Sequence, residues 1–262
     1  MLSRGNTELT PLKARIAAKG HVLNMYVTIP SGFVGEIIAG AGFDAVTLDM
    51  QHGLIGYDAA LPILTALATQ DVVPMVRTPA LDPALIMKLL DAGVLGITCA
   101  TVESAAEATA LVRSCRYPPH GERSFGPARA ALLHENYTHR ADDLITIFAM
   151  IESAKGLENL DEILAAPGLD GIYIGPYDLA MSLGTPPTQT GGFSAEVEAA
   201  IDLILQRCRG AGLICGMLAP DGVRAAALAA RGFQFITISN DIRALQGMMK
   251  TWLAEFAANK AR

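Results

Sequence analysis

Eight short apolar runs, rich in Val, Ile and Leu, alternate with segments of helical periodicity along this chain of 262 residues. The runs lie at residues 22–28, 45–49, 72–77, 96–99, 144–152, 171–175, 213–218 and 233–239. Between them, apolar residues recur at spacings of three and four, as in 84–90 and 197–208, which is the pattern of an amphipathic helix. Eight strand–helix units predict one domain, residues 1–262, folded as a closed parallel (β/α)8 or TIM barrel. An open doubly wound sheet is the alternative, but the chain has no GxGxxG motif of the kind that such sheets use for nucleotides.

Charge and composition exclude several classes of function. The chain has 20 Lys and Arg against 26 Asp and Glu, a net charge of −6, without a basic run suited to nucleic acid or an anionic membrane. Hydrophobic residues make up 51% of it, too many for a disordered chain, yet no run of about twenty apolar residues would span a bilayer. Residues 1–13 are polar and lack the apolar core of a signal peptide. The four cysteines form no CxxC pair, so we expect free thiols, a cytoplasmic protein and no structural zinc.

Polar side chains recur at the carboxyl ends of the predicted strands. Asp49 ends the second strand and His52 follows it; Arg77 ends the third, Glu152 ends the fifth, and Asp178 follows the sixth. The carboxyl ends of barrel strands meet at one rim, where barrel enzymes carry their active sites. We therefore expect these five side chains to share a site. Taken singly, Glu152 or Asp178 could instead be the N-cap of the next helix.

The residue types at this rim favour a hard divalent cation. Two carboxylates, Glu152 and Asp178, with few other acids nearby suit Mg²⁺ or Mn²⁺, which keep coordination positions for water and substrate oxygens. After Gly175 and Pro176, the backbone amides of Tyr177 and Asp178 would bind a substrate carboxylate at the start of a short helix.

Arg77 and His52 supply the other functional groups. Arg77 would be a fixed cation that stabilises an oxygen gaining negative charge. His52 would be a proton shuttle near neutral pH, with Asp49, three residues earlier, orienting its ring. A Schiff-base lysine should come from a strand interior or its carboxyl end, but the six lysines lie elsewhere, at Lys13, Lys19, Lys88, Lys155, Lys250 and Lys260. The residues thus favour metal-stabilised enolate chemistry over imine chemistry.

Six motifs carry a resemblance to a known family. They are the segments 48–53 (LDMQHG), 74–77 (PMVR), 89–93 (LLDAG), 116–126 (RYPPHGERSFG), 151–152 (IE) and 171–179 (GIYIGPYDL). Together they resemble the HpcH/HpaI aldolases, which are metal-dependent class II pyruvate aldolases, over nearly the whole chain from Leu12 to Leu253. The resemblance implies a TIM barrel of the phosphoenolpyruvate/pyruvate type without a nucleotide cofactor. In it, Glu152 and Asp178 would hold a divalent metal, Mg²⁺ or Mn²⁺, with Co²⁺ and Zn²⁺ as alternatives.

The same resemblance implies roles for the remaining residues. Arg77 would stabilise the enolate of pyruvate, and His52 with Asp49 would move protons, through water, during aldol addition or cleavage. Members of the family are typically hexamers, trimers of dimers that exchange a C-terminal helix, here residues 242–256. In such assemblies the acid that matches Asp91 reaches a neighbour's active site, whereas the alternative for Asp91 is a surface acid at a helix end.

Four further positions bear on substrate choice. Gln51 stands where many relatives have Glu, which leaves it a hydrogen-bonding role, and Met150 stands where the dioate aldolases have Gln. Both departures weigh against a dioate substrate. Leu218 matches a position in the pocket wall that influences which aldehyde fits. Arg123 would bind an acidic tail of the substrate or, equally, anchor its own loop.

The leading hypothesis is reversible aldol cleavage of a 4-hydroxy-2-oxoacid to an aldehyde and pyruvate, or a related 2-oxoacid such as hydroxypyruvate. One alternative is an acyl-CoA lyase of the citrate lyase beta or malyl-CoA lyase type, because related barrels use a similar Glu/Asp metal pair. The net charge of −6 with scattered arginines offers little for the phosphates of CoA. A non-catalytic barrel subunit is the other alternative, and the five intact residues at the rim weigh against it.

Overall fold

The computed structural model describes residues 9–188 and 192–260, in which parallel strands close into a barrel. The strands are β1 (Val22–Val27), β2 (Ala45–Asp49), β3 (Val73–Thr78), β4 (Gly96–Cys99), β5 (Thr146–Ile151), β6 (Gly171–Ile174), β7 (Ile214–Ala219) and β8 (Phe235–Asn240). Each strand pairs in parallel with the next, and β8 pairs with β1 to close the barrel. The predicted fold is confirmed.

Helices connect the strands and cover the outside of the barrel. They are α1 (Leu12–Lys19), α2 (Gly32–Ala39), α3 (Tyr57–Leu67), α4 (Pro83–Asp91), α5 (Ala105–Cys115), α6 (Ala130–Leu133), α7 (Tyr137–Leu144), α8 (Ala154–Glu158), α9 (Leu160–Leu164), α10 (Pro176–Ser182), α11 (Ala195–Ala211), α12 (Gly222–Arg231) and α13 (Asp241–Lys260). α11 and α12 end at Gly212 and Gly232, whose φ angles of 70° and 97° are those of the left-handed residue that commonly closes a helix.

Barrel strands are buried on both faces, which explains their near-continuous apolar sequences. Every residue of β2, β3 and β5 is buried. Four polar residues of the barrel strands bond to one another: the hydroxyl of Thr47 donates to Asn24 Oδ1 at 2.9 Å, and Asn24 Nδ2 and the Tyr173 hydroxyl both donate to Thr237 Oγ1 at 2.9 Å. These partners satisfy polar groups that burial would otherwise leave without hydrogen bonds.

Most predicted strands match the structure to within one or two residues at each end, and the fifth strand and the two insertions need comment. Residue 144, predicted to start the fifth strand, instead ends α7, so β5 begins two residues later at Thr146. The long insertion after the fourth strand–helix unit, 117–143, contains α6 and most of α7. Of the second predicted insertion, 181–192, residues 189–191 lie outside the described residues.

The last helix, α13, is mostly exposed. Asp241 is its one buried residue within the described chain. Its large apolar side chains are exposed, namely Ile242, Leu245, Met248, Met249, Trp252, Leu253 and Phe256. The exchange of this helix between subunits stays a prediction. No helix in the described part of the chain has the length and apolar character needed to cross a bilayer.

Candidate active site

A cavity of about 500 Å³ opens at the carboxyl rim of the barrel, within the usual size range of small-molecule sites. Most of the predicted site residues line it, namely Asp49, His52, Arg77, Gly175, Pro176, Tyr177, Asp178 and Leu218. Glu152 lies directly behind Gly175, because a Cβ atom added to that glycine would stand 2.6 Å from Glu152 Oε2. The same added Cβ would stand 2.7 Å from Met150 Cε, so any larger residue at 175 would displace the carboxylate.

Asp49 and Arg77 form a buried ion pair at this rim. They stand opposite each other in the register of β2 and β3. Arg77 Nε donates to Asp49 Oδ1 at 2.9 Å and Nη2 donates to Oδ2 at 2.6 Å, a two-point contact that fixes the guanidinium plane. The Tyr26 ring centroid lies 4.6 Å from the guanidinium carbon, which adds a cation–π contact. The charge of Arg77 is therefore held in one orientation at the cavity.

Asp49 also determines where His52 lies, although not in the predicted way. Its Oδ1 accepts hydrogen bonds from the backbone N–H groups of Gln51, at 3.1 Å, and His52, at 3.2 Å. The carboxylate thus fixes the turn after β2 and carries exposed His52 to the cavity. The prediction that Asp49 orients the imidazole ring needs correction, because among the described residues the carboxylate bonds to the His52 backbone N–H and to Arg77, and not to a ring nitrogen of His52.

Glu152 is buried with one oxygen bound and the other without a partner. Its Oε1 accepts from the Thr101 N–H at 2.8 Å and from the Thr101 hydroxyl at 2.7 Å. Its Oε2 has no hydrogen-bond partner among the described residues, an arrangement that costs about 1–3 kcal/mol unless another group binds there. Burial raises the pKa of Glu152, the Thr101 hydrogen bonds oppose the rise, and the carboxylate of Asp178 adds to it.

The second carboxylate, Asp178, lies in the first turn of α10 and lines the cavity. Neither acid is an N-cap: Ser153 caps α8, accepting from the Gly156 N–H, and Gly175 occupies the cap position of α10. The described residues contain no group of three or more His, Cys, Asp or Glu placed to hold a metal. Two carboxylates, one with a buried free oxygen, fit a hard divalent cation whose other positions are filled by water and substrate.

Arg123 lies away from the cavity, fully enclosed. Its side chain is 0% exposed. It donates to Asp91 Oδ1 at 2.7 Å and to the Tyr137 hydroxyl at 2.9 Å, and the Tyr117 ring centroid lies 4.5 Å from its guanidinium carbon. The prediction that Arg123 binds an acidic tail of the substrate is therefore wrong, since the buried guanidinium anchors its own loop.

Asp91 and Gln51 also lie outside the set of residues that line the cavity. Asp91 is the last residue of α4, which runs back from the carboxyl rim to the start of β4. In this chain Asp91 Oδ1 accepts from the enclosed Arg123, and its role in a neighbour's site stays a prediction. The side-chain oxygen of Gln51 is buried without a partner in the described chain, and its contact with substrate stays a prediction.

The structure places at this site two further groups that none of the six sequence motifs contains. Thr101 holds Glu152, and the signal that points to it is its position two residues after β4, the neighbour of β5 in the barrel. Its φ of 53° is unusual for a residue other than glycine, as often occurs where a backbone group serves a site. The start of α13 contributes Arg243 and Gln246 to the cavity mouth, and no sequence motif marks them.

The closed barrel and its rim of carboxylates, arginine and histidine define an enzyme of the TIM-barrel class. Residues 23–246 match the sequence profile of the HpcH/HpaI aldolase/citrate lyase family, and the chain belongs to that family. It is 38% identical over 234 residues to a hydroxypyruvate/pyruvate aldolase of Rhizorhabdus wittichii, covering 89% of this chain and 93% of that protein. It is 34% identical over 252 residues to a 4-hydroxy-2-oxovalerate aldolase of Rhodococcus jostii, covering 95% of this chain and 96% of that protein.

A solved structure agrees with these relatives. The HpcH/HpaI aldolase/citrate lyase family protein of Burkholderia cenocepacia superposes with a TM-score of 0.86 at 29% identity, covering 94% of this chain and 98% of that one. The protein is a carbon–carbon lyase, a class II aldolase by its relatives. The predicted family and enzyme class are confirmed.

Proposed function

We propose that the protein catalyses the reversible aldol cleavage of a 4-hydroxy-2-oxoacid to an aldehyde and pyruvate or hydroxypyruvate, with a divalent metal. The observation that carries this proposal is the buried, unpartnered Oε2 of Glu152 beside Asp178, at a cavity that also presents a fixed arginine. The names of the relatives from Rhizorhabdus wittichii and Rhodococcus jostii support the substrate class.

Glu152 and Asp178 would hold the metal, which when bound supplies Lewis-acid polarisation of the 2-oxo group. Mg²⁺ or Mn²⁺ suits two carboxylate ligands best, with Co²⁺ and Zn²⁺ as alternatives. The backbone amides of Tyr177 and Asp178 would orient the carboxylate of the 2-oxoacid, while Pro176, which has no N–H, would not contribute. The site therefore suits a small acidic ketone.

Arg77 and His52 would act on charge and protons. Arg77, held by Asp49, stabilises the negative charge that develops on the C2 oxygen as the bond between C3 and C4 breaks. His52 accepts, through water, the proton of the 4-hydroxyl group during cleavage and returns it to the aldehyde oxygen during addition. Leu218, half-buried in the cavity wall, would limit the size of the aldehyde.

We also propose that the protein is a homo-oligomer, a hexamer built as a trimer of dimers, whose ligands are small molecules and neither nucleic acid nor membrane. The exposed apolar side chains of α13, together with Phe33 and Ile37 on α2, which are 70% and 58% exposed, support an interface between copies. The described cysteines are unpaired and buried, which supports the proposal of a cytoplasmic location.

One assay tests the reaction. Purified protein is incubated with pyruvate or hydroxypyruvate and glycolaldehyde-type acceptors, with Mg²⁺ or Mn²⁺ and separately with EDTA. We expect carbon–carbon bond formation that needs metal, stops with EDTA and returns when Mn²⁺ is added in excess. Activity that survives EDTA, or covalent trapping by borohydride, would refute the metal mechanism. Turnover of CoA thioesters but not of free aldehydes would favour the acyl-CoA lyase, and no turnover at all would favour a non-catalytic barrel.

A further inference from the structure

The first turn of α13 forms one side of the cavity mouth. Arg243 and Gln246 line the same cavity as His52 and Arg77. Arg243 is exposed and, within residues 9–188 and 192–260, no carboxylate pairs with it. Arg77, by contrast, forms an ion pair with Asp49. Arg243 is thus the unpaired arginine among the described residues at this cavity.

The backbone that carries Arg243 is fixed by a set of buried contacts. Asp241 is 3% exposed and accepts from the N–H groups of Thr28 and Ile29, both at 2.9 Å, and from the Thr28 hydroxyl. The side-chain oxygen of Asn240 accepts from the Arg243 N–H at 2.8 Å. These bonds tie the start of α13 to the end of β1, so the position of Arg243 at the mouth is set by the barrel itself.

The backbone just before this turn is strained. Ser239 has a φ of 57°, a left-handed conformation that a residue other than glycine adopts only at a cost. Strain of this kind persists where the surrounding structure requires it, commonly at sites that hold a ligand. Ser239 itself lines the cavity, so the strained segment and the unpaired arginine belong to one edge of the site.

We infer that Arg243 binds an anionic group, a carboxylate or a phosphate, at the aldehyde end of the substrate. The inference rests on the proposed function, in which Glu152, Asp178 and Arg77 handle the 2-oxoacid end. A guanidinium offers several N–H donors in a plane that match the oxygens of either anion. Leu218 and Ile242, which also line the cavity, would pack against the carbon chain between the two ends.

Arg243 differs in its position from Arg123 and Met150. Arg123, the arginine that the sequence offered for an acidic tail, is fully buried. Met150 is buried on β5, at the inner end of the cavity, whereas Arg243 is at its exposed mouth. The loss of a polar group at Met150 and the presence of Arg243 therefore bear on opposite ends of the substrate.

The test compares charged aldehydes with neutral ones in wild type, Arg243→Gln and Arg207→Gln. Arg207→Gln removes the same charge from an arginine on the outer helix α11, where it pairs with Asp161. The kcat/KM for addition of pyruvate is measured with succinic semialdehyde against butanal, and with glyceraldehyde 3-phosphate against glyceraldehyde. Within each variant, the kcat/KM for the charged aldehyde is divided by that for the neutral one. Because both values scale with the amount of folded protein, a loss of folded protein does not change this ratio.

Arg243→Gln should lower the preference for the charged aldehyde by about tenfold, chiefly through KM, since a charge-assisted hydrogen bond is lost at a solvent-open position. Arg243→Lys should restore part of it, and Arg207→Gln should leave it unchanged. In wild type, added salt should raise the KM of the charged aldehyde more than that of the neutral one. The preference in kcat/KM is measured separately for the carboxylate-bearing and the phosphate-bearing aldehyde. The one whose preference falls more in Arg243→Gln identifies the group that Arg243 binds.

Two results would overturn the role of Arg243. An equal loss for charged and neutral aldehydes would show that Arg243 only supports the helix, and no change in either would show that it touches neither substrate. In both cases the proposed aldolase reaction stands, because the neutral aldehyde is still turned over by wild type. If wild type turns over no aldehyde, the proposed function fails and this inference fails with it.

Discussion

Replacing Asp49 by Asn would leave the buried guanidinium of Arg77 without its charge partner. Arg77 and Asp49 are 8% and 2% exposed and share two hydrogen bonds, of 2.9 and 2.6 Å. Removing one partner of a buried pair costs about 3–5 kcal/mol. The lower end applies here, because Arg77 keeps its contact with the Tyr26 ring and the Asn oxygen still accepts from the backbone. We expect a loss of about 3 kcal/mol.

The assay is thermal unfolding at one protein concentration in EDTA, so that neither ligand nor assembly differs between samples. A loss of about 3 kcal/mol corresponds to a fall in Tm of about 6–12 °C for a domain of this size. The matched control is Glu122→Gln, which likewise replaces a carboxylate by its amide. Glu122 pairs with Arg113, and the two side chains are 67% and 50% exposed, so its loss should cost much less than the loss of the buried carboxylate.

A double variant separates the cost of an unpaired buried charge from the cost of the lost hydrogen bonds. Arg77→Met in the Asp49→Asn background removes the uncompensated charge, and we expect it to recover most of the lost stability, although not the activity. Equal losses of stability in Asp49→Asn and Glu122→Gln would refute the claim that burial makes the ion pair of Asp49 and Arg77 important for stability. A double variant less stable than Asp49→Asn would refute the account based on uncompensated charge.

The metal site, the histidine and Thr101 each give a further prediction. Glu152→Ala should lose Mn²⁺ binding, measured by calorimetry, together with aldol turnover, because it removes the buried ligand oxygen. His52→Ala should slow aldol turnover more than exchange of the pyruvate methyl protons with solvent, followed by NMR, and equal losses would contradict its role at the aldehyde oxygen. Thr101→Val removes a hydrogen bond to charged Glu152 and so raises its pKa further. The loss of Mn²⁺ binding on acidification should then move to higher pH, with about tenfold weaker affinity at neutral pH. Thr65→Val, on the exposed side of α3, should change neither, and an unshifted pH profile for Thr101→Val would contradict the assignment.

Most of the barrel was predictable from the sequence because its signals are local. A run such as 45–49 is apolar throughout, as a strand buried on both faces requires, and Gly212 and Gly232 mark helix ends through a backbone conformation that glycine adopts easily. The fifth strand was predicted too long because Leu144 is apolar both as the end of α7 and as a strand residue. Hydrophobicity alone does not distinguish these two states.

The sequence predicted which strand ends meet at the cavity, but it did not predict which of their side chains pair. Parallel strands bring their carboxyl ends to one rim, so Asp49, Arg77 and Asp178 were expected to meet. Sequence spacing suggested that Asp49 serves the His52 ring, whereas the register of β2 and β3 places Arg77 directly opposite it. Asp49 therefore pairs with Arg77 on the adjacent strand, whose Nη2 lies 2.6 Å from Asp49 Oδ2, and not with the ring of His52 three residues along the chain.

The sequence by itself determined the eightfold strand–helix order and the set of acids, arginine and histidine at the strand ends, because periodicity and strand termini are properties of short segments. Only the tertiary structure decided which arginine is enclosed and which lines the cavity. Arg123, in a motif, is held by Asp91 and the Tyr137 hydroxyl, while Arg243, outside any motif, faces the cavity mouth. Burial and pairing depend on residues distant in sequence, and these come together only when the barrel closes.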